Sequence, residues 1–242
     1  MVSRKNLFVL FTSISVFLSA QTDSPYKALY SLEMGENNMY CDLYFIGNYY
    51  YMELVDIGEE GCDNKTLVLS YGTYETQRDN IFMKDEDYGF TMSFKKDGTE
   101  LKAVFSFYFL MGNSFVKSDD PDYFDCESIM KNDVLQDKWE RDKRKYNKMH
   151  RKEIPLQHGL YKVRNNEYWP FSLTILANGG YSFFYNGLCL STGVYTREKN
   201  VLVLHDIYLV CSFHAFIGDG KITSYSLPGC SIDSDTQLFF QK

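Results

Sequence analysis

Proline is scarce, at 5 of 242 residues, and with 45% apolar and 24% charged side chains the composition excludes wholesale disorder. Positive charge is also short. Twenty-five Lys and Arg face 32 Asp and Glu, a net −7, which argues against nucleic-acid binding as the main activity. Beyond residue 20 no apolar run reaches membrane-spanning length, because charge or glycine interrupts each one. No Cys-x-x-Cys pair exists, so zinc-ribbon and thioredoxin-type chemistry have no support. A Gly-x-Ser-x-Gly nucleophile elbow is missing as well. The abundance lies in aromatics: 20 Tyr, 19 Phe and 2 Trp, a density that favours strands.

The N-terminus reads as a secretory signal over 1–20. Arg4 and Lys5 precede an apolar run from Leu7 to Leu18, and Ser19-Ala20-Gln21 supplies a small-residue cleavage point. The chain is therefore expected to be secreted or periplasmic. Cys41, Cys62, Cys126, Cys189, Cys211 and Cys230 all follow that point, and an even count in an exported protein makes them disulfide candidates with open connectivity.

Comparison of the chain with itself reveals a repeat. Ser70-Tyr71-Gly72-Thr73-Tyr74 and Ile81 to Asp85 match Ser191-Thr192-Gly193-Val194-Tyr195 and Leu202 to Asp206. Upstream, Leu43 to Tyr51 matches Leu173 to Tyr181, with an Asn-Gly or Gly-Asn turn in each. Downstream, Ser93-Phe94 is set against Ser212-Phe213. Phe90, Met92 and Phe94 alternate with polar residues, the period of a half-buried strand. These patterns predict an all-β, mainly antiparallel fold of two tandem meander or barrel-like repeats, over 21–118 and 156–242, with six or seven strands each; one larger barrel built from both copies is the alternative. The linker, 119–155, opens with an acidic run, Asp119 to Glu127, that lacks the Gly and spaced Glu of a calcium loop. It continues as one amphipathic basic helix carrying Leu135, Trp139, Tyr146 and Met149 on its apolar stripe.

Leu173-Thr174-Ile175, Asn178-Gly179-Gly180-Tyr181 and Ser191 to Tyr195, followed by Leu202 to Asp206, resemble lipocalin-like β-barrel domains of secreted Bacteroidetes-type proteins. The resemblance implies a barrel fold, an exported location, and a binding or scaffold role rather than an enzymatic one.

Tyr51, Gly72, Tyr74, Tyr181, Gly193 and Tyr195 form the repeat signature and read as structural. His205, Asp206 and His214 are the residues closest to a metal set, but the repeat places Lys84 and Lys95 opposite the two histidines, so no metal is expected. Cys189 aligns with Val68 and Cys211 with Met92, both read as apolar positions. Trp139, Arg141, Lys145 and Tyr146 on the basic helix are the candidate ligand or partner contacts. Docking of that helix within the molecule, against the acidic remainder, is favoured over a membrane surface. No catalytic residue or cofactor emerges. The expected function is an exported, non-enzymatic binding or interaction protein, with an apolar small molecule in a barrel or a protein as partner. A structural envelope protein and a hydrolase with unidentified carboxylates are the alternatives.

Overall fold

Period-two alternation along the aromatic-rich segments builds sixteen strands among the residues that the computed structural model describes, namely 28–34, 39–57, 65–117, 135–164, 170–230 and 236–242. The signal segment, Cys62, Cys126 and the acidic run 119–127 lie outside the described residues. The first copy contributes β1 (Ala28–Glu33), β2 (Met39–Ile46), β3 (Tyr49–Asp56), β4 (Lys65–Gln77), β5 (Asn80–Asp85), β6 (Thr91–Asp97), β7 (Glu100–Phe105) and β8 (Ser114–Lys117). The second contributes β9 (Gly159–Val163), β10 (Phe171–Ile175), β11 (Gly180–Tyr185), β12 (Leu188–Glu198), β13 (Val201–Asp206), β14 (Ser212–Gly218), β15 (Lys221–Ser224) and β16 (Gln237–Phe240). Each set is an antiparallel meander that closes on itself, β1 against β8 and β16 against β9, so neither barrel leaves a free edge. Eight strands per copy is one or two more than the turn signals indicate. The two-barrel arrangement, not one large barrel, is the one formed.

Inward positions fill both interiors. Leu43, Met52, Leu54, Met83, Phe94 and Phe115 are each fully buried in the first barrel, as are Leu173, Phe183, Leu204, Phe213 and Ile222 in the second. Eight strands enclose an interior that side chains can fill. One continuous apolar core runs through both barrels. The chain after each seventh strand crosses to the other barrel. Tyr108–Leu110, a 3-10 turn, packs on β12, with the Tyr108 ring 4.8 Å from that of Tyr208. Gly229, in the matching loop after β15, lies between Leu67 of β4 and Leu190 of β12. The two copies thus clasp one another about a pseudo-two-fold, the geometry of an isologous dimer joined in one chain. A hydrogen bond from the Tyr185 hydroxyl to Asp56, 2.8 Å, also spans the junction.

The register corrects two parts of the repeat alignment. Tyr50 pairs with Gly72 as Tyr181 pairs with Gly193, so Tyr50 and not Tyr51 is the counterpart of Tyr181. The β2–β3 turn is one residue shorter than its partner, which shifts the match by one; Tyr51 points to the opposite face, against Tyr44. Further on, Asp85 N–H donates to the Phe90 carbonyl as Asp206 N–H does to Cys211. Cys211 therefore matches Phe90 rather than Met92, and His214 matches Ser93 rather than Lys95.

The disulfide expectation is also corrected for four cysteines: Cys41, Cys189, Cys211 and Cys230 are free thiols. Cys41 occupies an inward site of β2 among apolar side chains, where a thiol acts as a small hydrophobe. Burial pushes the Cys41 thiol well up and that of Cys230 up to about 12, so neither is poised to react.

The copies differ sharply at one loop position. The β5–β6 turn uses Gly89 at φ +70°, whereas the β13–β14 turn places Val210 at φ +54° with 77% of its surface exposed. A β-branched residue there is strained, and no burial offsets the cost. Urea denaturation of Val210→Gly is expected to show a gain of about 1 kcal/mol, and Gly89→Val a loss of about 1–2 kcal/mol. Equal stability of all three proteins would remove the strain assignment.

Candidate functional site

Two polar devices stand out against this apolar background. The first is internal and occurs once per barrel. In β4 and β12 a β-bulge at Leu69 and at Leu190 turns the following serine inward, beside the leucine instead of opposite it. Ser70 Oγ then lies 2.7 Å from the Tyr50 hydroxyl and donates to Asp85 Oδ2 at 2.6 Å. Ser191 repeats this with Tyr181 at 2.7 Å and Asp206 at 2.6 Å. The second carboxylate oxygen holds the following turn, accepting Tyr88 N–H in one copy and Tyr208 and Leu209 N–H in the other. Gly72 and Gly193 are required beside it, because a Cβ there would collide with the carbonyl oxygen of Lys84 or His205 on the next strand. Tyr74 and Tyr195 anchor the same strands by donating to the carbonyls of Gly47 and Leu176. The signature residues, with Tyr50 replacing Tyr51, thus tie neighbouring strands and turns together. Both serines are buried, and they act as linkers in an internal relay.

The second device is a cleft of about 340 Å³ where the two barrels meet the helix. The helix α1 (Leu135–Met149) lies on the outer face of β13 and β14. Trp139, only 4% exposed, packs against His214, Phe216 and Tyr225 with ring centroids 4.1, 5.5 and 4.8 Å away. Tyr146 stacks on Phe216 at 4.3 Å and donates to the Ile217 carbonyl. Fully buried Asn200 ties down the chain beyond α1, its Nδ2 donating to the carbonyls of His150 and Lys152 and its Oδ1 accepting Ile154 N–H. Of the four predicted partner contacts, then, Trp139 and Tyr146 are engaged within the molecule, while Arg141 and Lys145 remain exposed.

Three elements supply the cleft walls: Asp87 and Tyr88 from the β5–β6 turn, Glu140 and Lys143 from α1, and Glu198, Ser212 and His214 from the second barrel. Lys143 Nζ bridges Glu140 at 2.8 Å and Glu198 at 3.0 Å. Burial, reinforced by the Lys143 charge, lowers His214 to about 4, so its ring is neutral at pH 7. Asp87 accepts the Tyr71 hydroxyl at 2.9 Å, and burial raises its carboxyl.

His205 links Ser212 (2.9 Å) and Thr196 (3.0 Å). Its far partner is a hydroxyl, not the carboxylate that orients a catalytic histidine, so this trio is not a hydrolytic triad. Among the described residues no group of three or more His, Cys, Asp and Glu is placed to hold a metal. No family model, curated protein or solved structure matches this chain. Chemistry at the cleft must therefore be read from its own side chains.

Sequence reasoning missed the cleft because its residues come from segments more than 50 positions apart. The buried relay left a clearer trace: a serine and an aspartate recurring at fixed places in otherwise apolar strands.

Asp85 gives the relay a pH signature. Burial raises its carboxyl to about 7, against hydrogen bonds from Ser70 and Tyr88 that oppose the shift. The folded chain therefore holds this proton more tightly than the unfolded chain. Its stabilising effect is complete below the ordinary aspartate range and is lost as pH rises through about 7. Stability is expected to fall between pH 4 and 7, with a contribution from this group of at most about 1.4 kcal/mol per pH unit. Asp85→Asn, which preserves the shape, should flatten that slope in denaturation curves at several pH values. An unaltered slope would refute the assignment.

Proposed function

We propose that this chain is an exported, non-enzymatic interaction protein whose binding site is the cleft between its two barrels and α1. The observation that carries the reading is the filling of both barrel interiors by side chains such as Phe94, Phe115, Phe183 and Phe213. An apolar small molecule inside a barrel would have to displace them, whereas the cleft is open and lined by groups that can form hydrogen bonds. Clasped barrels sharing one core provide a rigid frame for such a site. The resemblance to lipocalin-like secreted domains and the signal-like N-terminus favour export. A hydrolase of the serine–histidine type is a poorer reading, since His205 lacks an orienting carboxylate.

The test is native mass spectrometry of the protein recovered outside the cytoplasm of the cell that produces it. The expected result is a processed chain carrying additional bound mass that is released on denaturation and is absent from a Glu198→Gln, Ser212→Ala double variant. Bound mass that persists in that variant would move the site elsewhere, and a chain retained unprocessed in the cytoplasm would overturn export.

A further inference from the structure

The two relays look alike, but the carboxylates at their ends are held unequally. Asp206 accepts from Ser191 Oγ at 2.6 Å, Thr192 N–H at 3.3 Å, Tyr208 N–H at 2.8 Å and Leu209 N–H at 2.7 Å. Asp85 accepts from Ser70 Oγ at 2.6 Å and Tyr88 N–H at 2.5 Å, with a smaller contribution from Asp87 N–H. The turns that follow differ in charge as well. Glu86-Asp87-Tyr88-Gly89 follows Asp85, and Asp87 repels the buried carboxylate; Ile207-Tyr208-Leu209-Val210 follows Asp206 and carries no charge. Burial, few donors and an acidic neighbour together disfavour the ionised form of Asp85. Its relay accommodates a proton without losing a contact. Ser70 Oγ lies 2.7 Å from the Tyr50 hydroxyl, and either atom can donate. With Asp85 ionised, Tyr50 donates to Ser70 and Ser70 to Asp85. With Asp85 protonated, its own O–H donates to Ser70 Oγ, which turns its hydrogen towards Tyr50. The same carboxylate pins a turn that reaches the other barrel. Its Oδ1 holds Tyr88 N–H, Glu86 N–H donates to the Tyr71 carbonyl at 2.9 Å, and the Tyr88 ring packs edge-on to Phe213 at 5.0 Å. Gly89 closes the turn at φ +70° with open space where a Cβ would stand, and so provides a pivot.

We propose, resting on the cleft reading above, that the first relay is a proton-operated latch on the cleft wall that Asp87 and Tyr88 supply. A bound proton keeps the β5–β6 turn seated against the second barrel, and its loss lets the turn open and water hydrate Asp85. The groups facing Asp85 are the Tyr50 phenol from β3, Ser70 from β4, Asp87 and Tyr88 from its own turn, and the Cys211 thiol of the second barrel. Burial pushes Tyr50, Tyr88 and Cys211 upward, away from neutral pH, so none of these three titrates alongside it. Asp87 is also raised by burial and is tested separately. The ammonium of the cleft, Lys143, is held between Glu140 and Glu198. In the closed turn burial raises Asp85 to about 7, whereas a hydrated aspartate titrates at about 4. Opening therefore grows as pH rises from the ordinary aspartate range to about 7, by up to about tenfold per pH unit, and levels off above that.

The test follows amide hydrogen exchange of the full chain by NMR between about pH 5 and 8, corrected for the intrinsic rate at each pH. The opening constants at Glu86 and Tyr88 are expected to rise by up to about tenfold per pH unit as far as about pH 7, then level off. Those at Ile207 and Leu209, in the second turn, should change by less than about twofold over the same range. Asp85→Asn should flatten the profile at Glu86 and Tyr88. Ser70→Ala, which removes a hydrogen bond to the ionised form, should move the profile to higher pH. A carbon-13 titration of the Asp85 carboxyl in the unaltered protein should share its midpoint, a check that stands even where Asp85→Asn does not fold. Flat exchange at Glu86 and Tyr88 would overturn the latch, as would an equal rise in both turns, the mark of global unfolding. A profile that survives Asp85→Asn would overturn it too, and its loss in Asp87→Asn would then move the titration to Asp87. None of these readouts needs a ligand, so a failed latch leaves the cleft standing as a binding site. Bound mass that persists in the cleft double variant removes that site and leaves the latch as a property of the junction alone.

Discussion

A carboxylate can stay inside a barrel only if hydrogen bonds replace the water it loses, and each of these barrels is arranged around meeting that demand. Asp85 and Asp206 each end a strand inside the wall, where solvent does not reach. A serine must therefore face inward on the neighbouring strand, which alternation alone does not permit beside an inward leucine, and the bulges at Leu69 and Leu190 supply it. The next strand must approach closely enough to close the relay, which explains the glycines at 72 and 193. A tyrosine then completes the chain from the strand beyond. Bulge, glycine, serine, aspartate and tyrosine form one unit, and the recurrence of its serine, glycine and aspartate at one offset of 121 helps to make the repeat visible.

The relay also organises the junction. By accepting Tyr88 N–H, Asp85 fixes the turn that carries Asp87 and Tyr88 to the second barrel, where Tyr88 meets Phe213. Asp206 fixes the corresponding turn, which brings Tyr208 against Tyr108. The two turns are related by the pseudo-two-fold, so a hydrogen-bond network inside each barrel sets the contact between them. Local polar chemistry thereby determines a long-range surface, and the cleft inherits its geometry from Asp85, a residue that does not line it.

How far this was legible in the sequence follows from the range of each interaction. Alternation at Phe90, Met92 and Phe94, the Gly47-Asn48 and Asn178-Gly179 turns and the helical spacing of Trp139 and Tyr146 are local, and the corresponding strands, hairpins and helix are present. The off-by-one match at Tyr51 arose because a hairpin turn can change length by a residue while the strands on both sides keep their register with other neighbours. Cysteine parity carried no information about distance, and the thiol of Cys41 is walled into a barrel core. The cleft was invisible because Asp87, Lys143 and Glu198 become neighbours only after two barrels close and clasp, an outcome no short pattern encodes.

Duplication explains the frame, and departure from it explains the site. On the second barrel the outer face of β13 and β14 presents His214 and Phe216, and α1 covers it through Trp139 and Tyr146. The matching positions on β5 and β6 carry Ser93 and Lys95, which offer an aromatic helix face nothing to pack on. Only one copy can therefore hold the helix, and that single docking event brings Glu140 and Lys143 over a junction that would otherwise be symmetric. Symmetry would have yielded two equal shallow grooves. One helix on one barrel yields a walled cleft at the junction, with acidic groups from both copies lining it.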